Sequence, residues 1–96
     1  MSNIVDFGKI YKGSLNSDGR LSELIGKTFL IKNVEITEIA LGEVAIATIE
    51  VDGKEERRHT FSAVLIDQLK QVKEFTDKGK KVRATLKKVK RYYTLQ

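Results

Sequence analysis

Glu43-Val44-Ala45-Ile46-Ala47-Thr48-Ile49-Glu50-Val51-Asp52-Gly53-Lys54-Glu55-Glu56-Arg57-Arg58-His59-Thr60-Phe61 is the stretch on which the reading of this chain turns. Ala45, Ala47, Ile49 and Val51 share one parity, and Val44, Ile46, Thr48 and Glu50 share the other. A period of two in β-branched and small apolar residues is the mark of a strand. Asp52-Gly53 then interrupts it. Asp-Gly between two strands is a strong hairpin signal, because a tight two-residue turn needs positive φ at both positions. Residues 55–61 return as the next strand.

Upstream, residues 27–38 read Lys-Thr-Phe-Leu-Ile-Lys-Asn-Val-Glu-Ile-Thr-Glu. Phe29 and Ile31 have one parity, Val34 and Ile36 the other. A bulge near Lys32-Asn33 brings all four to one inner face. A long first strand with such a bend can serve both halves of a small barrel. Ile39 to Gly42 forms the loop into the second strand.

Downstream, the period changes. From Phe61 to Phe75 the spacing fits a helix, with Ser62 as N-cap. Leu65, Leu69 and Val72 lie on one stripe, bordered by Ile66. Thr76-Asp77-Lys78-Gly79 ends the helix with a glycine where a left-handed cap belongs. Residues 81–89 form a fourth strand, with Val82, Ala84 and Leu86 on one face. Residues 92–95 form a short fifth strand. The order β-β-β-α-β-β is that of the OB-fold, an all-β, five-stranded Greek-key barrel with one helix between its third and fourth strands. The domain is expected over residues 22–96. Residues 1–21 precede it as an arm or a short extra strand and turn. There Phe7 to Tyr11 reads equally as a strand or an arm, with Tyr11 and Lys12 available to a partner. Ser14 to Gly19 is a turn cluster, and Ser22 to Ile25 one helical turn stopped by Gly26.

The totals agree with one small globular domain: 96 residues, 41% hydrophobic and 32% charged. Cysteine is absent, which removes disulfides and thiolate metal sites. No run approaches the ~18 apolar residues of a membrane-crossing helix. The N-terminus lacks the basic and apolar regions of a signal peptide. A soluble, cytoplasmic protein with no membrane partner is the expectation.

The net charge is +5 and the sequence pI about 9.5, but the distribution says more. Residues 78–96 hold eight basic side chains and no acid: Lys78, Lys80, Lys81, Arg83, Lys87, Lys88, Lys90 and Arg91. The other 77 residues carry 10 basic and 13 acidic side chains, a net of −3. Positive charge concentrated in one segment suits a polyanion.

Catalytic machinery is missing from the pattern. His59 is the sole histidine, so a metal site built on histidine and cysteine is excluded. The glycines are scattered and form no phosphate-binding loop. Glu55 and Glu56 are adjacent in a strand and point to opposite faces. We therefore expect a binding protein, not an enzyme, with no catalytic residue, metal or cofactor.

Binding a flexible single strand takes cations along a groove and flat side chains on which bases stack. The cationic candidates are Lys32 on the first strand, Arg57 and Arg58 on the third, and Lys87, Lys88, Lys90 and Arg91 at the turn between the fourth and fifth. That turn is one of the two loops that border the binding face of an OB-fold. The stacking candidates are His59, Phe61 and Tyr92. If His59 and Phe61 face outward they form a platform beside Arg57; if inward, Phe61 is core and Arg58 alone meets the groove. A one-residue slip exchanges the two. Burial habit favours the core for Phe61, and an exposed polar position serves His59 as well as a ligand contact would. Of the adjacent tyrosines, Tyr92 is expected outside, and Tyr93 in the core with its hydroxyl at the rim.

Glu23-Leu24-Ile25-Gly26-Lys27, the Val51-Asp52-Gly53 hairpin, Asp67-Gln68-Leu69 and Arg91-Tyr92-Tyr93-Thr94-Leu95 together resemble small single-domain OB-fold proteins of phage, plasmid and archaeal mobile-element type. The resemblance covers roughly residues 22–96. It implies sequence-independent binding of single-stranded DNA, with RNA as a second ligand, in replication, recombination or repair. Two alternatives stand beside it. One is a protein-interaction module, a homodimer or the companion of a replication protein, with Val44 and Ile46 as an outer apolar contact. The other is an accessory factor that binds RNA.

Overall fold

A computed structural model describes residues 17–96. The chain enters through β1 (Gly19–Arg20) and a 3-10 turn (Leu21–Leu24). β2 (Thr28–Ile39), β3 (Gly42–Val51) and β4 (Lys54–Thr60) follow as an antiparallel meander. Then come α1 (Ala63–Thr76), β5 (Val82–Val89) and β6 (Tyr92–Leu95). The readings of Phe7 to Tyr11, of Tyr11 and Lys12 as an arm, and of Ser14 to Asn16 lie outside the described residues.

β2 is shared between the two halves of the sheet. Its first residues, Thr28 to Ile31, pair with β5, and Leu30 to Ile39 pair with β3. The register shifts between Ile31 and Asn33, the bulge that the change of parity predicts. Phe29, Ile31 and Val34 are consequently all buried, and Ile36 packs against the same core. The bulge adds local twist and bends the strand, so that one strand can line both halves.

The strand order is β1-β4-β3-β2-β5-β6. Without β1, this is the order of an OB barrel. The fold is thus mostly β with one helix, a curled, OB-like half-barrel whose end strands β4 and β6 are not hydrogen-bonded to each other. β1 falls at the end of residues 1–21, where the sequence offered an arm or a short extra strand without placing it. It lies parallel to β4, with Gly19 opposite Arg58 and Arg20 opposite His59. Asp18 extends this docking: its N–H donates to the Arg57 carbonyl at 2.6 Å, and its carboxylate accepts the Arg57 N–H at 2.9 Å. Gly19, at φ +154°, is required here, because a Cβ would stand 2.5 Å from Arg58 Nη1. Leu21, placed by sequence at the end of an arm, is fully buried, and Leu24 nearly so.

The hairpin between β3 and β4 is as its sequence implies. Asp52 and Gly53 have φ of +53° and +78°, and Val51 pairs with Lys54 across them. The β5–β6 turn is also two residues, Lys90-Arg91, between the paired Val89 and Tyr92. Its first position has φ +56° on a lysine.

α1 covers the open end of the core. Ser62 caps it, its Oγ accepting the Leu65 N–H at 3.4 Å. Leu65, Ile66 and Leu69 are buried and Val72 packs beside them, the stripe read from the sequence. Fully burying a leucine or isoleucine stabilises by roughly 1.5–3 kcal/mol, so this stripe is a major part of the core. The helix is closed by the Lys80 N–H reaching the Phe75 carbonyl at 3.1 Å. Among the described residues, no helix is long and apolar enough to cross a membrane.

Candidate nucleic-acid interface

β4 divides its side chains between two environments. Thr60 pairs with Ala45 on the core side and is 7% exposed. His59 pairs with Ile46 and Arg57 with Thr48, on the opposite face of the sheet. Phe61 continues that face; it is 39% exposed, not a core residue as burial habit suggests. The His59 and Phe61 rings meet edge to face, 5.7 Å apart at 78°. Such a pair fixes both rings at modest cost in freedom. Val44 and Ile46, on this same outer side of β3, are nonetheless buried at 0% and 2%, so they present no apolar surface to a partner.

Arg58 turns the other way. It faces the core side opposite Ala47, with a side chain only 14% exposed. Its guanidinium is shared between Glu56 at 2.8 Å and Glu23 at 2.7 Å. Burial works to lower its pKa, but the hydrogen bonds and charges of Glu56 and then Glu23 prevail and raise it. Arg58 is therefore engaged in holding the 3-10 turn against β4.

The other two cations of the sheet face are also paired, across β3. Lys32 Nζ lies 2.6 Å from Glu55, and Arg57 Nη2 3.2 Å from Glu35. The hydrogen bond between Lys32 and Glu55 lifts the ammonium above its ordinary range and lowers the carboxyl below it. Arg57 Nε is buried without a partner among the described residues.

The C-terminal cations differ. Lys87, Lys88, Lys90 and Arg91 are exposed along β5 and its turn, and no acid pairs with any of them among the described residues. Tyr92 beside them is 47% exposed. Tyr93 packs against the core, and Lys88 Nζ stands 5.8 Å from its ring centroid.

Tyr93 links this hairpin to β4. A partly open cavity of about 250 Å³ is lined by Arg20, Ser22, His59, Thr60, Phe61, Ser62 and Tyr93. It lies at the seam between the β1–β4 edge and β6. Of the candidates from sequence, His59 and Phe61 line it and Lys88 adjoins it through Tyr93. Lys32, Arg57 and Arg58 do not line it. Arg20, Ser22 and Tyr93 were not among the candidates. Nothing in the sequence marks Arg20 and Ser22, because their place depends on the two-residue pairing of β1. Ser17 Oγ lies 2.5 Å from His59 Nδ1. Burial, assisted by the Arg20 charge, lowers the His59 pKa against the opposing Gly19 backbone hydrogen bond and Glu23. Among the described residues, no three acidic or histidine side chains stand together as metal ligands would.

The chain matches no family model, no curated protein and no solved structure.

Proposed function

We propose that the protein binds single-stranded nucleic acid without catalysis, DNA ahead of RNA and largely irrespective of sequence. One observation carries this reading. The only long run of cations in the chain has no acidic partners among the described residues, and one of them, Lys88, stands over the Tyr93 ring, which lines a partly open cavity with His59 and Phe61. Cations meet phosphates and rings meet bases, and neither contact needs a particular base. The pairing of Lys32 and Arg57 shifts the expected phosphate path toward the Lys87–Arg91 hairpin. A place in cytoplasmic replication, recombination or repair, beside a replication protein, belongs to the same proposal.

Titration of a fluorescent polythymidine oligonucleotide at low salt tests it. Binding that weakens linearly in log salt is expected, since released counterions scale with phosphate contacts. Absence of binding at micromolar protein overturns the proposal. Competition with single-stranded and duplex RNA decides between DNA and an RNA-binding role.

A further inference from the structure

We infer that the seam cavity is a socket for a single nucleotide, which takes one base of a bound strand between β4 and β6 and its phosphate at Arg20. The inference rests on the proposed function for its biological setting, but the socket is defined by its own chemistry.

The cavity, about 250 Å³, falls just short of the roughly 300–1,000 Å³ typical of sites for drug-sized ligands. One ring system with a small substituent fills such a space. Two of its walls are rings from different strands, Phe61 after β4 and Tyr93 in β6. Phe61 meets His59, which lines the same cavity, edge to face at 5.7 Å, a contact that favours one ring orientation. Every nucleobase has a flat face that suits such walls.

Most polar groups at the site can donate, although its hydroxyls and His59 can also accept. Thr60 Oγ1 accepts the Ser62 N–H at 3.1 Å, and Ser62 Oγ accepts the Leu65 N–H at 3.4 Å. With one lone pair already engaged, each hydroxyl keeps its own proton for a ligand. Ser22 adds a third hydroxyl and Arg20 a guanidinium. No acid pairs with Arg20 among the described residues. Donors and one cation beside aromatic walls favour an acceptor-rich, singly phosphorylated ligand. A thymidine nucleotide, with two ring carbonyls and a phosphate, meets that description. None of the ion-paired residues Lys32, Glu35, Glu55 and Arg57 lines the socket, so a base placed here displaces no salt bridge.

The test has two arms. In the first, thymidine 5′-monophosphate alone is titrated into the 15N-labelled protein. Saturable amide shifts at millimolar ligand are expected for Arg20, Ser22, His59 to Ser62 and Tyr93, and inorganic phosphate should leave the amides of Phe61 and Tyr93 in place. In the second, polythymidine binding is compared for the parent protein, Phe61→Ala and Arg20→Ala. Phe61 is already exposed, so its removal should leave folding intact, which a thermal melt verifies. About tenfold weaker oligonucleotide binding is expected for Phe61→Ala, the loss of one stacked base. If the oligonucleotide binds the parent protein but the nucleotide shifts miss the cavity and Phe61→Ala binds unchanged, the socket is wrong and the proposed function stands. If the nucleotide occupies the cavity and no oligonucleotide binds, the socket stands and the proposed function falls. If neither binds, both fall.

Discussion

Gln68 of α1 accepts the backbone N–H of Leu95 in β6 at 2.8 Å, and its amide nitrogen donates to the neighbouring Thr94 hydroxyl at 2.7 Å. One side chain thus ties the helix to the last strand. Gln68→Leu strands the half-buried Leu95 N–H, and an unsatisfied donor of this kind costs about 1–3 kcal/mol. Chemical denaturation should show that loss, and hydrogen exchange should quicken at β6 before it quickens at β3. Uniform exchange across the sheet would mean that Gln68 has no special hold on β6.

The C-terminal cations and the sheet cations should behave differently toward nucleic acid. Replacing Lys87, Lys88, Lys90 and Arg91 with alanine should weaken binding to all sequences alike. It should also flatten the salt dependence by about 0.7 in log–log slope for each phosphate that is no longer neutralised. Lys32→Ala should have a smaller effect, because its ammonium already answers Glu55. Equal effects at both places would put the phosphate path across the β2–β4 face.

His59 predicts a pH dependence of stability. Its folded pKa is lowered from the ordinary 6.5, chiefly by burial. As pH falls, the unfolded chain takes up this proton first. The contribution of His59 is therefore complete above pH 6.5 and is lost as pH drops through the folded value. Urea midpoints between pH 7.5 and 5 should fall less in His59→Gln than in the parent. Parallel profiles would remove His59 as a source of the slope.

The two tight hairpins should respond oppositely to substitution. Lys90 sits at φ +56° and Gly53 at φ +78°. Left-handed backbone costs a side-chain-bearing residue about 1–2 kcal/mol relative to the right-handed region. Lys90→Gly should therefore raise the melting temperature, and Gly53→Ala should lower it. The measurement belongs at high salt, where the lost charge at residue 90 is screened.

What could be read in advance was whatever leaves a periodic or turn-specific trace. The Asp52-Gly53 hairpin, the bulge at Lys32-Asn33 and the Ser62-capped stripe of Leu65, Ile66, Leu69 and Val72 are local in origin, and the structure has them. The place and pairing of β1 could not be read because two residues have no period. The turn at Lys90-Arg91 was placed by the ends of its flanking strands, but the positive φ of Lys90 was not, because neither residue advertises one. Alternation put Arg57, His59 and Phe61 on one face, yet it could not say which face is the core. It was equally silent about partners across an intervening strand, which is where Glu35 and Glu55 meet Arg57 and Lys32. The cavity draws on three separate segments, and no pattern within any one of them announces it.

The Gln68–Leu95 tie has a consequence beyond anchoring. A half-barrel exposes two margins, and bare backbone at a margin invites a foreign strand to pair. Along β6, the glutamine amide occupies the outward N–H of Leu95. Along β4, Asp18 to Arg20 take up the backbone from Arg57 to His59. Each margin is thus covered in part from within the same polypeptide. Such cover narrows the stretch of bare backbone on which a second chain could stack.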